Sequence, residues 1–224
     1  MKTYKTSLIL IFLLLGISPW AFSALPGMSS KHLRLVKDLM NNNLAYSQDA
    51  TTTNIIEWEE EIVDSLRQKK DYRNMFLMRQ MAVYAYSLQA KISEALKKAD
   101  AMMDEARLMK YNIGISLSYQ ALGDIYLNAG MRPEAVEEYE KAMKTLQATP
   151  HAEKIQERIF IQLVPTLIKL KRMDEAKAYL EHMSEICESK CLSPFLLYAY
   201  HAYYYLRNND LSKAREYIDE AIKI

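Results

Sequence analysis

Turn formers are scarce: the chain has five glycines and six prolines in 224 residues. That argues against a sandwich or a barrel with many tight turns. No alternating Val/Ile/Thr run stands between turn residues, so no strand is predicted. Catalytic hallmarks are missing as well. His32, His151, His182 and His201 lie far apart and form no HExxH or similar ligand spacing. There is no Gly-rich phosphate loop and no GxSxG elbow. No catalytic residue, metal ligand set or cofactor is therefore assigned, and the chain is read as a non-enzyme. Acid pairs such as Glu137–Glu138 and Glu59–Glu61 are read as solvated helix faces. Charge of one sign is also lacking, with 29 Lys and Arg against 28 Asp and Glu. Without a basic stripe there is no electrostatic case for nucleic acid.

Only one long apolar run occurs, SLILIFLLLGI at 7–17, preceded by Lys2 and Lys5 and followed by SPWAFSA. A basic start, an apolar middle and a small-residue exit form the layout of a secretory signal peptide. Ala21 and Ser23 fill the small positions for cleavage between Ser23 and Ala24. An uncleaved anchor is the alternative, but the run is short for a span of roughly 20 residues. Removing residues 1–23 takes away two lysines and leaves 27 bases against 28 acids, a net charge of −1. The mature chain is expected to be exported, periplasmic or otherwise extracytoplasmic, with no membrane span left after cleavage.

What is abundant is Ala, Leu, Lys, Glu and Met, a helix-forming mix. Within it one grammar recurs. In 116–149, SLSYQALGDIYLNAGMRPEAVEEYEKAMKTLQAT, count Ser116 as position 1. Positions 4, 7, 11 and 24 are Tyr119, Leu122, Tyr126 and Tyr139; positions 8, 20 and 27 are Gly123, Ala135 and Ala142. The spacing predicts helices over about 116–129 and 133–146, packed antiparallel. Small residues let the two backbones approach, and Tyr and Leu fill the space between. Gly130 suits a helix end and Pro133 a first turn.

This pattern resembles the tetratricopeptide repeat (TPR). Three segments match it less fully: 76–109 with Val83 at position 8, 157–190 with Val164 there and Pro165 inside a helix, and 195–224 with Ala202. Pro165 should remove a helix hydrogen bond and bend the helix. The four segments start farther apart than the standard period of about 34 residues. The excess is read as extended second helices and loops such as ATPHAEK at 148–154. The expected fold is all-α, a TPR-type right-handed superhelical solenoid over 76–224. A helical lead-in or divergent first repeat occupies 24–75, with helices at 29–43 and 54–70, the second capped by Asn54 and Glu57.

The resemblance implies a groove lined by first helices at positions 2, 5, 9, 12 and 13. Gln80, Tyr84, Gln120, Asp124, Asn128, Arg158, Ile161, Lys169, Tyr203 and Arg207 are its candidate protein- or peptide-binding residues. It lacks a Lys/Asn carboxylate clamp, so recognition of a peptide C-terminus is not expected. The whole also resembles extracytoplasmic sensor regions of bacterial TPR regulators, which implies a signalling role. A different reading is structural: Tyr217, Ile218 and Ile222 are left uncovered and mediate a homodimer. Tyr198–Leu206 is a tyrosine-rich run read as core, with Tyr203 as an alternative ligand platform. Cys187 and Cys191 form CESKC, open to a disulfide, free thiols or a metal site with His182.

Overall fold

The computed structural model describes residues 48–190 and 194–223. The cleavage site at Ser23 and Ala24, the expected helix at 29–43 and Cys191 lie outside them. Every regular element among the described residues is an α-helix: α1 (Gln48–Gln68), α2 (Tyr72–Leu88), α3 (Ile92–Leu108), α4 (Asn112–Asn128), α5 (Arg132–Leu146), α6 (Glu153–Lys169), α7 (Met173–Lys190), α8 (Pro194–Arg207) and α9 (Leu211–Lys223). The chain divides into two compact units, Met1–Thr149 and Pro150–Ile224. The boundary falls inside the loop expected at 148–154.

In the first unit α2 packs on α3, α4 on α5, and α2 also lies against α4. First helix on second and first helix on next first helix is the contact pattern of a helical-repeat array. The second unit repeats it, with α6 on α7, α8 on α9 and α6 touching α8. Thus α2–α3, α4–α5, α6–α7 and α8–α9 are the four expected helix pairs. α1 packs on α2 in the place of a preceding second helix.

Two local expectations are corrected. Asn54 is not a cap, because α1 already runs from Gln48. The extra length of the repeats is also not confined to second helices: α4 begins at Asn112, a turn ahead of Ser116, and α2 begins at Tyr72, a turn ahead of Phe76.

The turns explain the spacing. Lys70, Ala90, Lys110 and Gly130 all have positive φ, and they recur at one even interval along the chain. In each case the next N–H returns to a carbonyl five residues back: Asp71 to Leu66 at 2.9 Å, Lys91 to Tyr86 at 3.0 Å, Tyr111 to Ala106 at 2.9 Å and Met131 to Tyr126 at 2.9 Å. This is the Schellman closure, which satisfies the last helical carbonyls. Of these, only Gly130, at φ +80°, adopts that conformation without crowding a Cβ. Pro133 sits in the first turn of α5, as expected.

The core follows the small-and-large grammar. Ala95, Ala99, Ala121, Val83 and Ile125 form one buried cluster, with Tyr86, Ile92, Leu96 and Leu122 packed around it. Ala135, Tyr139 and Ala142 are fully buried on α5. At Gly123 the expectation of close backbones is refined. A Cβ there would lie 2.5 Å from Tyr139 Cε1 and 2.7 Å from its Cδ1, so the glycine makes room for a tyrosine ring.

Candidate functional site

The groove residues of the first unit lie on α2 and α4, and the contact between these two helices decides what they do. Gln80, Gln120 and Asp124 are 3%, 3% and 5% exposed. The expectation that they line an open groove is corrected: they lie at the seam between neighbouring first helices. Gln80 donates its side-chain amide to Asp124 Oδ2 at 3.1 Å. Tyr139 donates its hydroxyl to Asp124 Oδ1 at 2.8 Å. A buried carboxylate costs heavily unless its oxygens accept hydrogen bonds, and these two donors supply that. Burial, then the Asp124 charge, holds the Tyr139 phenol well above its ordinary value. The same two causes push the half-buried Tyr84 phenol up to about 12.

A second polar link closes the C-terminal end of the seam. Asn128 donates from Nδ2 to Ser87 Oγ at 2.8 Å, and Ser87 Oγ donates to the Tyr84 carbonyl at 2.8 Å. Asn128 remains exposed and Tyr84 half-buried, so of the five candidates in this unit these two keep accessible surface.

In the second unit Lys169 and Arg207 are exposed, and Arg158 and Tyr203 half-buried. Ile161 is 4% exposed and is corrected from groove to core. Its backbone does something the sequence reading missed. Pro165 lies inside α6 and has no N–H for the carbonyl four residues back, that of Ile161. Tyr200 on α8 donates its hydroxyl to that carbonyl at 3.2 Å, so the orphan acceptor is satisfied from a neighbouring helix. Burial, with Glu157 adding to it, pushes the Tyr200 phenol far up, which keeps it a donor.

The reading of Glu59 as a solvated acid is also corrected. It is 1% exposed, with Lys98 Nζ at 2.5 Å and Arg79 Nη1 at 3.5 Å. Burial raises its carboxyl above the usual range against the pull of Lys98 and Arg79. Burial alone would lower the Lys98 ammonium; its bonds to Glu59 and Glu60 raise it overall. Arg79 lies 2.9 Å from Glu105, which also pairs with Arg67 at 2.8 Å. The network ties α1 to α2 and α3. No local sequence signal marks it, since its partners sit on helices far apart in the chain.

Cys187 on α7 is disulfide-bonded; its expected partner Cys191 lies outside the described residues. Tyr217 is only half-buried, while Leu211, Ile218 and Ile222 are 67%, 45% and 72% exposed. Among the described residues no group of His, Cys, Asp and Glu could hold a metal ion. No described helix is long and apolar enough to cross a membrane.

Residues 117–145, which take in the body of α4 and α5, match the tetratricopeptide repeat family. None of the curated proteins matches the chain.

Proposed function

We propose that this tetratricopeptide-repeat protein is an exported, non-enzymatic scaffold that holds a protein or peptide partner. The observation that carries the reading is the α2–α4 arrangement: two first helices locked side by side by Gln80, Asp124, Tyr139, Ser87 and Asn128, with Tyr84 and Asn128 accessible beside the seam. Locked first helices give a preorganised surface, which lowers the ordering cost of binding. Mixed phenol and amide groups suit an extended segment by hydrogen bonding and stacking. Export rests on the signal-peptide layout of residues 1–23, and a sensor role in signalling on the family resemblance. A Cys187–Cys191 disulfide fits export. Two free thiols titrated in the unfolded, unreduced chain would remove it.

The experiment is a crosslinking pull-down from the exporting cell, comparing the native chain with a Tyr84→Ala/Asn128→Ala variant. Both changes leave the buried Gln80–Asp124–Tyr139 contacts in place, and because Asn128→Ala also removes the bond to Ser87, Tyr84→Ala alone is compared as well. A captured protein that the variant loses supports the scaffold reading; an identical set of captured proteins rejects this surface.

A second reading is self-association through α9, favoured by the exposure of Leu211, Ile218 and Ile222 on one 13-residue helix. Light scattering at tens of micromolar tests it. A dimer that Ile218→Asp converts to monomer supports it, and a monomer with or without the substitution removes it.

A further inference from the structure

Helix α9 packs along α8 and buries only small side chains there. Its buried residues are Ala214 and Ala221, so its main large anchor is the ring of Tyr217. That ring belongs to a column built across three helices. His201 of α8 stacks on Tyr217 at a centroid distance of 4.6 Å and an interplanar angle of 10°. Tyr217 stacks on Tyr205 of α8 at 5.5 Å and 11°. Lys213 of α9 lies 5.0 Å from the Tyr205 ring, and Tyr198 adds a tilted contact to Tyr217 at 6.2 Å.

The edge of His201 is fixed from α7. Ser184 donates its hydroxyl to the Leu180 carbonyl at 2.9 Å, and its oxygen is 3.2 Å from His201 Nε2. A hydroxyl has one hydrogen. With that hydrogen committed to Leu180, the oxygen accepts from His201. The neutral ring therefore carries its proton on Nε2 and leaves Nδ1 bare. A second proton, on Nδ1, would put a charge on a half-buried ring stacked against Tyr217 and bonded to Ser184.

We propose that the Ser184–His201–Tyr217–Tyr205 column is a proton-operated latch: protonation of His201 releases α9 from α8. The charged and titratable groups that act on it come from each neighbouring helix. On α7, Glu181 acts on His201. On α8, Tyr205 and Tyr198 belong to the column. On α9, Tyr217 faces His201, Glu216 acts on Tyr217, and Lys213 lies over Tyr205. On α6, which also touches α8, Glu157 acts on Tyr200. The tyrosines are neutral across the range where histidine titrates. Burial lowers the His201 imidazolium below its ordinary 6.5, and Glu181 only partly opposes this. A histidine lowered on folding contributes stability that is complete above its unfolded value of 6.5 and lost as the pH falls through its folded value. The latch is thus closed at neutral pH and opens in mild acid.

Amide hydrogen exchange of the full chain tests this at about pH 7.5 and about pH 5, after correction for intrinsic exchange. Protection across Leu211–Lys223 should fall relative to α4 in acid, because the released helix binds a proton that the latched one excludes. His201→Phe keeps a stacking ring that cannot charge, and it should abolish the fall. If that variant does not fold, His201→Gln takes its place. An NMR titration of the native chain gives a second readout, with the His201 midpoint expected below 6.5. Equal α9 protection at both pH values, an equal loss in the variant, or a midpoint at or above the ordinary value would overturn the latch.

Discussion

The first two repeats of the chain place the same backbone on opposite choices of side chain. In α4–α5 the first helix offers Gly123 and the second fills the space with Tyr139, buried against it. In α2–α3 the equivalent positions, one repeat earlier, hold Val83 and Ala99, both buried in one cluster. A large residue has moved from one side of the contact to the other, and the helix pair is kept. Cores tolerate such exchanges when total volume is preserved. The exchange has a polar consequence. The tyrosine version brings a hydroxyl to Asp124, which helps that repeat to bury a carboxylate at its seam. The earlier repeat instead carries Arg79 where the later one has Tyr119, and Arg79 reaches a buried acid of the preceding helix, Glu59 on α1.

The largest expected effect breaks the comparison at Gly123. Gly123→Val should destabilise by about 3 kcal/mol, because the added Cβ falls within the Tyr139 ring. Tyr139→Ala alone should cost a similar amount. The double variant installs the Val/Ala pair of the first repeat. By chemical denaturation it should lose less than the two singles added, by more than about 1 kcal/mol; strict additivity would mean that the two repeats do not share one packing solution.

Next comes the charge that distinguishes the first repeat. Lys98→Met removes the closest partner of buried Glu59 and should cost about 3 kcal/mol at neutral pH. The sign with pH is defined. Glu59 is already raised and rises further without Lys98, so the ionised form is what the variant cannot tolerate. The cost should therefore shrink as the pH falls toward 4.5, the carboxyl's ordinary value. A penalty unchanged between neutral and acid pH would assign the loss to packing.

Position 9 sharpens the contrast, since it is Tyr84, Asp124 and Pro165 in successive repeats. Tyr200→Phe should cost about 1–2 kcal/mol by orphaning the Ile161 carbonyl. In a Pro165→Ala background, where the helix can make its own bond, the same change should cost clearly less. Equal costs in both backgrounds would disconnect Tyr200 from the proline.

The smallest effect compares two turns. Ala90 and Gly130 occupy equivalent left-handed positions. Ala90→Gly should raise stability by up to about 1 kcal/mol, relieving the Cβ crowding at positive φ. A thermal melt that moves down would show that the alanine costs nothing there.

These cases also separate what is legible in the chain from what is not. The repeat grammar around Gly123, Tyr139, Ala135 and Ala142 is readable because it obeys short, local spacing. Gly130 and Pro133 are readable because their backbones are restricted in known ways. The turns at Lys70, Ala90 and Lys110 are not, since nothing local marks a non-glycine residue for positive φ. Glu59, Ile161 and Gln120 resist reading for a different reason. Whether such a residue is open or covered depends on a helix that arrives from far along the chain, and on which face it covers. Of the positions assigned to the groove, those in the first unit are largely spent on joining α2 to α4.

The Tyr200 bond has a further consequence for how the second unit comes apart. A repeat array ordinarily frays from an end, one pair at a time, because each pair closes its own backbone hydrogen bonds. Here α6 cannot complete its own ladder. One carbonyl in its middle is satisfied by a hydroxyl carried by α8, in the next pair. Loss of the α8–α9 pair would leave α6–α7 with a defect in its spine, so the two pairs should unfold as one cooperative block.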